Sequence, residues 1–134
     1  MTGARTVHDE EGQAAVEFAL ITPLLVVLLL AVIQVGVTFH DYVTLTDAAR
    51  AGARQAIVAR FSGGSLTDAQ QAVRNSGSDL NQANLGVTVT DPTWNAAGSL
   101  VTVTATYPYS INIPLLGVTL MSGNLTATAK ERLE

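Results

Sequence analysis

At 134 residues the chain has room for one domain, and its 48% hydrophobic against 5% aromatic content places the apolar character in Ala, Val, Leu and Ile. A formal net charge of −4, with no cluster of Lys or Arg, removes the basic footprint that phosphate-backbone binding needs, so nucleic acid is not an expected partner. The lack of cysteine excludes disulfides, thiolate metal sites and cysteine nucleophiles, and leaves the redox compartment open.

The run from Phe18 to Phe39 (FALITPLLVVLLLAVIQVGVTF) carries no charge. At about 1.5 Å rise per residue its roughly 20 positions span a hydrocarbon core of about 30 Å, which predicts a transmembrane helix. The interruptions at Thr22, Pro23, Gln34, Gly36 and Thr38 are mild. Pro23 lies near the start, and membrane helices tolerate helix breakers. A cleaved secretory signal is the weaker reading, because its apolar region runs about 7–15 residues behind a basic stretch. This run is longer and follows the acidic Asp9, Glu10 and Glu11.

Helical signals continue from Asp41 to Phe61, with small or apolar residues recurring at three- and four-residue spacing and no Pro between. Ala48, Gly52 and Ala56 fall four apart on one face, beside Ala49 and Ala53, a stripe that permits close backbone approach. Packing of this stripe on the chain's own domain is expected ahead of a purely intermolecular contact, since most amphipathic helices bury their apolar face locally. Ser62-Gly63-Gly64-Ser65 breaks the helix. Thr67 with Gln70 three positions on reads as a capping box opening a second helix that runs to about Ala83, bent or broken at Ser76-Gly77-Ser78.

After Leu85 the period changes to two. Gly86 to Thr90 and Ser99 to Tyr107 alternate, separated by turn chemistry in Asp91-Pro92 and Asn95-Ala96-Ala97-Gly98. Val101, Val103, Ala105 and Tyr107 would face one side and Thr102, Thr104 and Thr106 the other, as in a sheet buried on one face. Pro108 and Pro114 bracket a predicted loop. Its Ile111, Ile113, Leu115 and Leu116 form either a contact patch or, the simpler reading, a loop tucked over the sheet edge. Alternation resumes from Asn124 to Leu133 as a third strand.

The chemistry-bearing residues are sparse. His8 and His40 lack the carboxylate and nucleophile context of acid–base or acyl-transfer catalysis. There is no phosphate-cradling glycine loop, no HExxH and no calcium-loop spacing, so no cofactor, metal or enzymatic activity is expected. Asn124-Leu125-Thr126 is a weak glycosylation sequon. Glu17, directly before the apolar run, is the most informative group. A carboxylate drawn into hydrocarbon costs a few kcal/mol unless it is paired or reaches the headgroups, and the residues themselves leave both outcomes open.

Glu11-Gly12-Gln13-Ala14-Ala15-Val16-Glu17-Phe18-Ala19-Leu20 resembles the N-terminal segment of TadE-like proteins, minor pseudopilins of tight-adherence (Flp-type IV) pili. Asp47-Ala48-Ala49-Arg50-Ala51-Gly52-Ala53-Arg54 resembles the Ala-Ala-Arg-x-Gly-Ala-Arg segment that follows the apolar helix in the same family. The resemblance implies cleavage after Gly12 by a prepilin peptidase on the cytoplasmic side, making Gln13 the first residue and Glu17, followed by Phe18, the fifth. It further implies that the new amino group pairs with Glu17 of a neighbouring subunit during assembly. Partners would then be the membrane, the peptidase, other pilin or pseudopilin subunits and the pilus assembly platform. The protein would sit in the bacterial cytoplasmic (inner) membrane with its C-terminal domain outside. One feature departs from the family: Arg5 stands alone on the leader side against Arg50 and Arg54 beyond the run, a charge bias that favours the opposite orientation.

The expected architecture is α+β and pilin-like: a leader at 1–12, a long helix over 13–61 that is transmembrane at about 18–39, and an exported domain over 62–134. That domain would comprise a short second helix and a three-stranded antiparallel sheet packed on the outer part of the long helix. Two competing functions share these elements: a major pilin forming the filament body, and a single-pass membrane protein whose outer domain binds a partner.

Overall fold

A computed structural model describes residues 6–91, 98–113 and 117–132, and for residues 6–11 the backbone alone. The predicted turn residues Pro92 and Asn95 to Ala97, and Pro114, Leu115 and Leu116 of the predicted loop, lie outside the described residues.

One helix, α1 (Thr6–Ser62), runs for 57 residues, about 85 Å at the standard rise, with Pro23 inside it. Three threonine hydroxyls along it are satisfied within the helix: those of Thr22, Thr38 and Thr46 donate to the carbonyls of Phe18, Gln34 and Tyr42 at 2.6, 3.0 and 2.8 Å. The helix ends where Gly63 adopts φ +73°, a conformation natural to glycine, and Gly64 N–H donates to the Ala59 carbonyl at 2.6 Å.

Helix α2 (Leu66–Ser76) follows at once. Its box is not Thr67 with Gln70. Ser65 is the N-cap, in extended conformation, and the Asp68 carboxylate three residues on accepts the Ser65 N–H at 2.8 Å. The chain turns at Gly63, so the first extended residue after that turn, and not a threonine two positions later, meets the orphan amides. Nor does the helix reach Ala83. It stops at Gly77, whose N–H caps the Val73 carbonyl at 2.9 Å, and tight turns closed by Leu80 N–H to Gly77 and Asn84 N–H to Asn81, both 3.0 Å, lead to the sheet. The break expected at Ser76-Gly77-Ser78 is the helix end.

The sheet contains β1 (Gly86–Thr90), β2 (Leu100–Ile113) and β3 (Val118–Arg132) in the order β1-β2-β3, antiparallel throughout. The alternation holds: Val101, Val103 and Ala105 are buried, while Thr102, Thr104 and Thr106 are only partly covered. The segment after Pro108 is not a loop. Residues 108–113 continue β2 and pair with 118–124 of β3, in register from Pro108 opposite Asn124 to Ile111 opposite Met121. Proline is tolerated there because β1 ends at Gly86, opposite Thr106, leaving β2 an edge strand from that point on. The Tyr109 ring lies over Gly123, its cross-strand partner, so close that a Cβ on Gly123 would meet it at 3.1 Å.

The core lies between the C-terminal half of α1, α2 and the buried face of the sheet. Leu45, Ala48, Ala49, Ala53 and Ala56 of α1 meet Ala69 and Val73 of α2 and Val101, Val103 and Ala105 of β2. The small-residue stripe therefore packs within the chain. At Gly52 a Cβ would overlap Val73 Cγ2 and stand 3.1 Å from the Ala69 carbonyl and 3.3 Å from Val103 Cγ1, so glycine is what lets the two helices and the sheet meet.

Candidate functional site

The N-terminal part of α1 has no such partners. Every residue from 12 to 20 is exposed, and a Cβ on Gly12 would touch nothing within 4 Å. Gln13 Nε2 donates to Glu17 Oε1 at 3.3 Å, one turn apart on the same face. Phe18 beside it is 68% exposed. These four residues, singled out in the sequence, are brought onto one bare stretch of helix.

The next turns are equally bare and strongly apolar. An 18-residue window in this helix reaches a mean hydropathy of 2.7 with none of it buried. The central helix of a water-soluble domain passes the same length and composition test but is covered by its own fold. Exposed Leu24, Leu28, Leu29, Val32 and Ile33 on a helix of this length match a single hydrocarbon span.

Ala48, Gly52 and Ala56 stand apart from this stretch, roughly 45–60 Å further along the helix from Glu17, and are buried in the head. The structure thus separates the sequence-predicted residues into two groups: a bare N-terminal stretch and a packing seam. Asp47 and Arg50 beside the seam form an ion pair at 3.5 Å, each side chain 66% exposed, an arrangement worth little in water.

Gln34 is a residue whose role the sequence did not disclose. Its side-chain oxygen accepts the Asn112 N–H at 2.7 Å and its amide nitrogen donates to the Asn112 carbonyl, tying the far end of the β2–β3 hairpin to α1. The one signal in the chain was that Gln34 is the single carboxamide in the uncharged run. Among the described residues, no group of three His, Cys, Asp or Glu side chains could hold a metal ion.

The fold defines a class: a membrane-type helix bare at its N-terminal half and carrying a small α+β head on its other half. Over residues 12–54 the chain matches the family described as TadE-like protein, a stretch that takes in the bare segment, the apolar run and the packing seam through Arg54. No curated protein and no solved structure matches the chain.

Proposed function

We propose that the protein is a pseudopilin, a structural subunit that acts in assembly of a tight-adherence pilus after a prepilin peptidase removes residues 1–12. The observation that carries this reading is the position of Glu17: a carboxylate at the mouth of an uncovered apolar helix, hydrogen-bonded to the Gln13 side chain. Cleavage after Gly12 would make Gln13 the new N-terminus. The freed amino group of one subunit would then reach Glu17 of its neighbour, a charge-assisted contact strengthened by the low dielectric of the bilayer edge. Gly12 is exposed on the helix surface, which suits attack by a protease.

In this reading the leader lies in the cytoplasm, α1 crosses the inner membrane and the head is outside. Subunits would pack through the bare half of α1, since the small-residue seam is already filled by the chain's own head.

The test is the N-terminal mass of the membrane-fraction protein made with and without a prepilin peptidase. A start at Gln13 that depends on the peptidase and disappears in Gly12→Leu is the expected result. An intact leader under all conditions would leave a single-pass anchored domain and remove the pairing role from Glu17.

A further inference from the structure

We infer that the tip of the β2–β3 hairpin is a second membrane-contacting element, seated in the outer lipid interface beside the exit of α1. The inference rests on α1 spanning the bilayer, and does not depend on cleavage or on assembly into a pilus.

The hairpin reaches the right level. β1 covers β2 only as far as Thr106, and beyond it β2 and β3 continue as a two-stranded ribbon that runs back along α1 toward its apolar half. The ribbon reaches Gln34 at Asn112. Gln34 is five residues inside the uncharged run that ends at Phe39, which puts Asn112 about 7 Å below that end along the helix. Elements lying in the membrane interface characteristically sit about 5–10 Å into the boundary between headgroups and acyl chains.

The chemistry of the ribbon suits that level. From residue 92 to residue 129 the sequence has no charged side chain. At the tip, Ile111 opposes Met121 and Ile113 opposes Val118, while a bulge adds Leu120 between Thr119 and Met121. Val118, Leu120 and Met121 are 49%, 59% and 57% exposed, and Val35, Val37 and Phe39 at the end of the apolar run of α1 are exposed as well. Higher up, Tyr107 and Tyr109 line a recess with Asp41, the first acidic residue after the run. That order matches the depth profile of an interface: charge and tyrosine at headgroup level, aliphatic side chains beneath.

One edge residue near the tip is also satisfied from within. Asn112 is on the part of β2 that β1 no longer pairs, yet both its N–H and its C=O are taken by Gln34. On the polar face of the tip, Thr119 Oγ1 donates to Asn112 Oδ1 at 2.8 Å and Asn112 Nδ2 donates to Ser110 Oγ at 3.4 Å. Internal pairing of backbone groups is dispensable in water and is what depth in lipid demands.

The occupant of this surface is therefore the lipid bilayer. Because the chain has no native cysteine, single-cysteine variants of the full chain can carry a spin label at one chosen position. Labels at Leu120→Cys, Leu28→Cys and Thr128→Cys, reconstituted in phosphatidylethanolamine–phosphatidylglycerol vesicles, would be compared by collision with oxygen and with a water-soluble nickel chelate. The expected result is an oxygen-to-nickel accessibility ratio at position 120 several-fold above that at 128 and approaching that at 28. A ratio at 120 equal to that at 128, with 28 in lipid, overturns the hairpin inference and leaves the span intact. Shielding of 120 from both reagents also overturns it, pointing to a protein–protein contact. Nickel access at 28 overturns the span and the hairpin inference together.

Discussion

Gln34 and Asn112, 78 positions apart, hold each other by two hydrogen bonds, side-chain amide to backbone amide, where the sheet has run out of a third strand. The glutamine supplies to Asn112 what β1 supplies to residues 102–106. It also fixes how far the hairpin descends along α1, because the bonds join one helix turn to one strand residue.

Replacing Gln34 by leucine removes both partners and strands a backbone N–H and C=O, at about 1–3 kcal/mol where water is scarce. The expected outcome is faster hydrogen exchange at residues 111–113 with the core strands around Val103 unchanged. Gln34→Glu keeps the acceptor and loses the donor, so it should fall between the two. Equal protection in all three proteins would show that the pair does not anchor the hairpin.

Gly52→Val should destabilise the head by up to about 3 kcal/mol through overpacking. The new side chain meets β-branched Val73, which has few rotamers to escape into, and the Ala69 backbone oxygen, which has none. The measurement is thermal unfolding of the detergent-solubilised full chain followed by circular dichroism. A Gly52→Val variant that melts with the wild type would mean that α1 and α2 can separate at this point without penalty.

Asp68→Ala removes the acceptor of the Ser65 N–H and a negative charge from the first turn of α2, for a loss of about 0.5–1 kcal/mol. Because α2 is short and covers Gly52, the expected signature is increased proteolysis between Ser62 and Gly77 with the sheet still protected.

Glu17→Ala should leave insertion of α1 intact, since it removes a charge from the edge of the span, but should impair assembly or recruitment of the protein to the pilus. Membrane fractionation and pilus counts on the same cells separate the two effects. Wild-type pili in this variant would mean that the carboxylate serves only local hydrogen bonding with Gln13.

Much of the architecture was legible in the chain because the governing patterns are local. An uncharged apolar run sufficient for a bilayer, a change of period from helical to alternating after Leu85, and glycine punctuation at Gly63 and Gly77 each act over a few residues, and each marks a feature of the fold. The stripe at Ala48, Gly52 and Ala56 announced a close helix contact, and the head supplies it.

What the residues could not convey is which partner a segment finds. Pro108 and Pro114 look like brackets of a loop when read in order. Yet β2 runs on past Pro108, because residues 118–124 pair with it and the proline falls where β1 has already ended. Likewise Gln34 reads as a flaw in an apolar helix until Asn112 is brought beside it. The membrane-type helix, the order of the elements and the face each buries follow from the residues alone, since side-chain periodicity and backbone preference are written position by position. The length of the hairpin and its seat along α1 emerge only in three dimensions. Those depend on strand pairing and contact between segments distant in the chain.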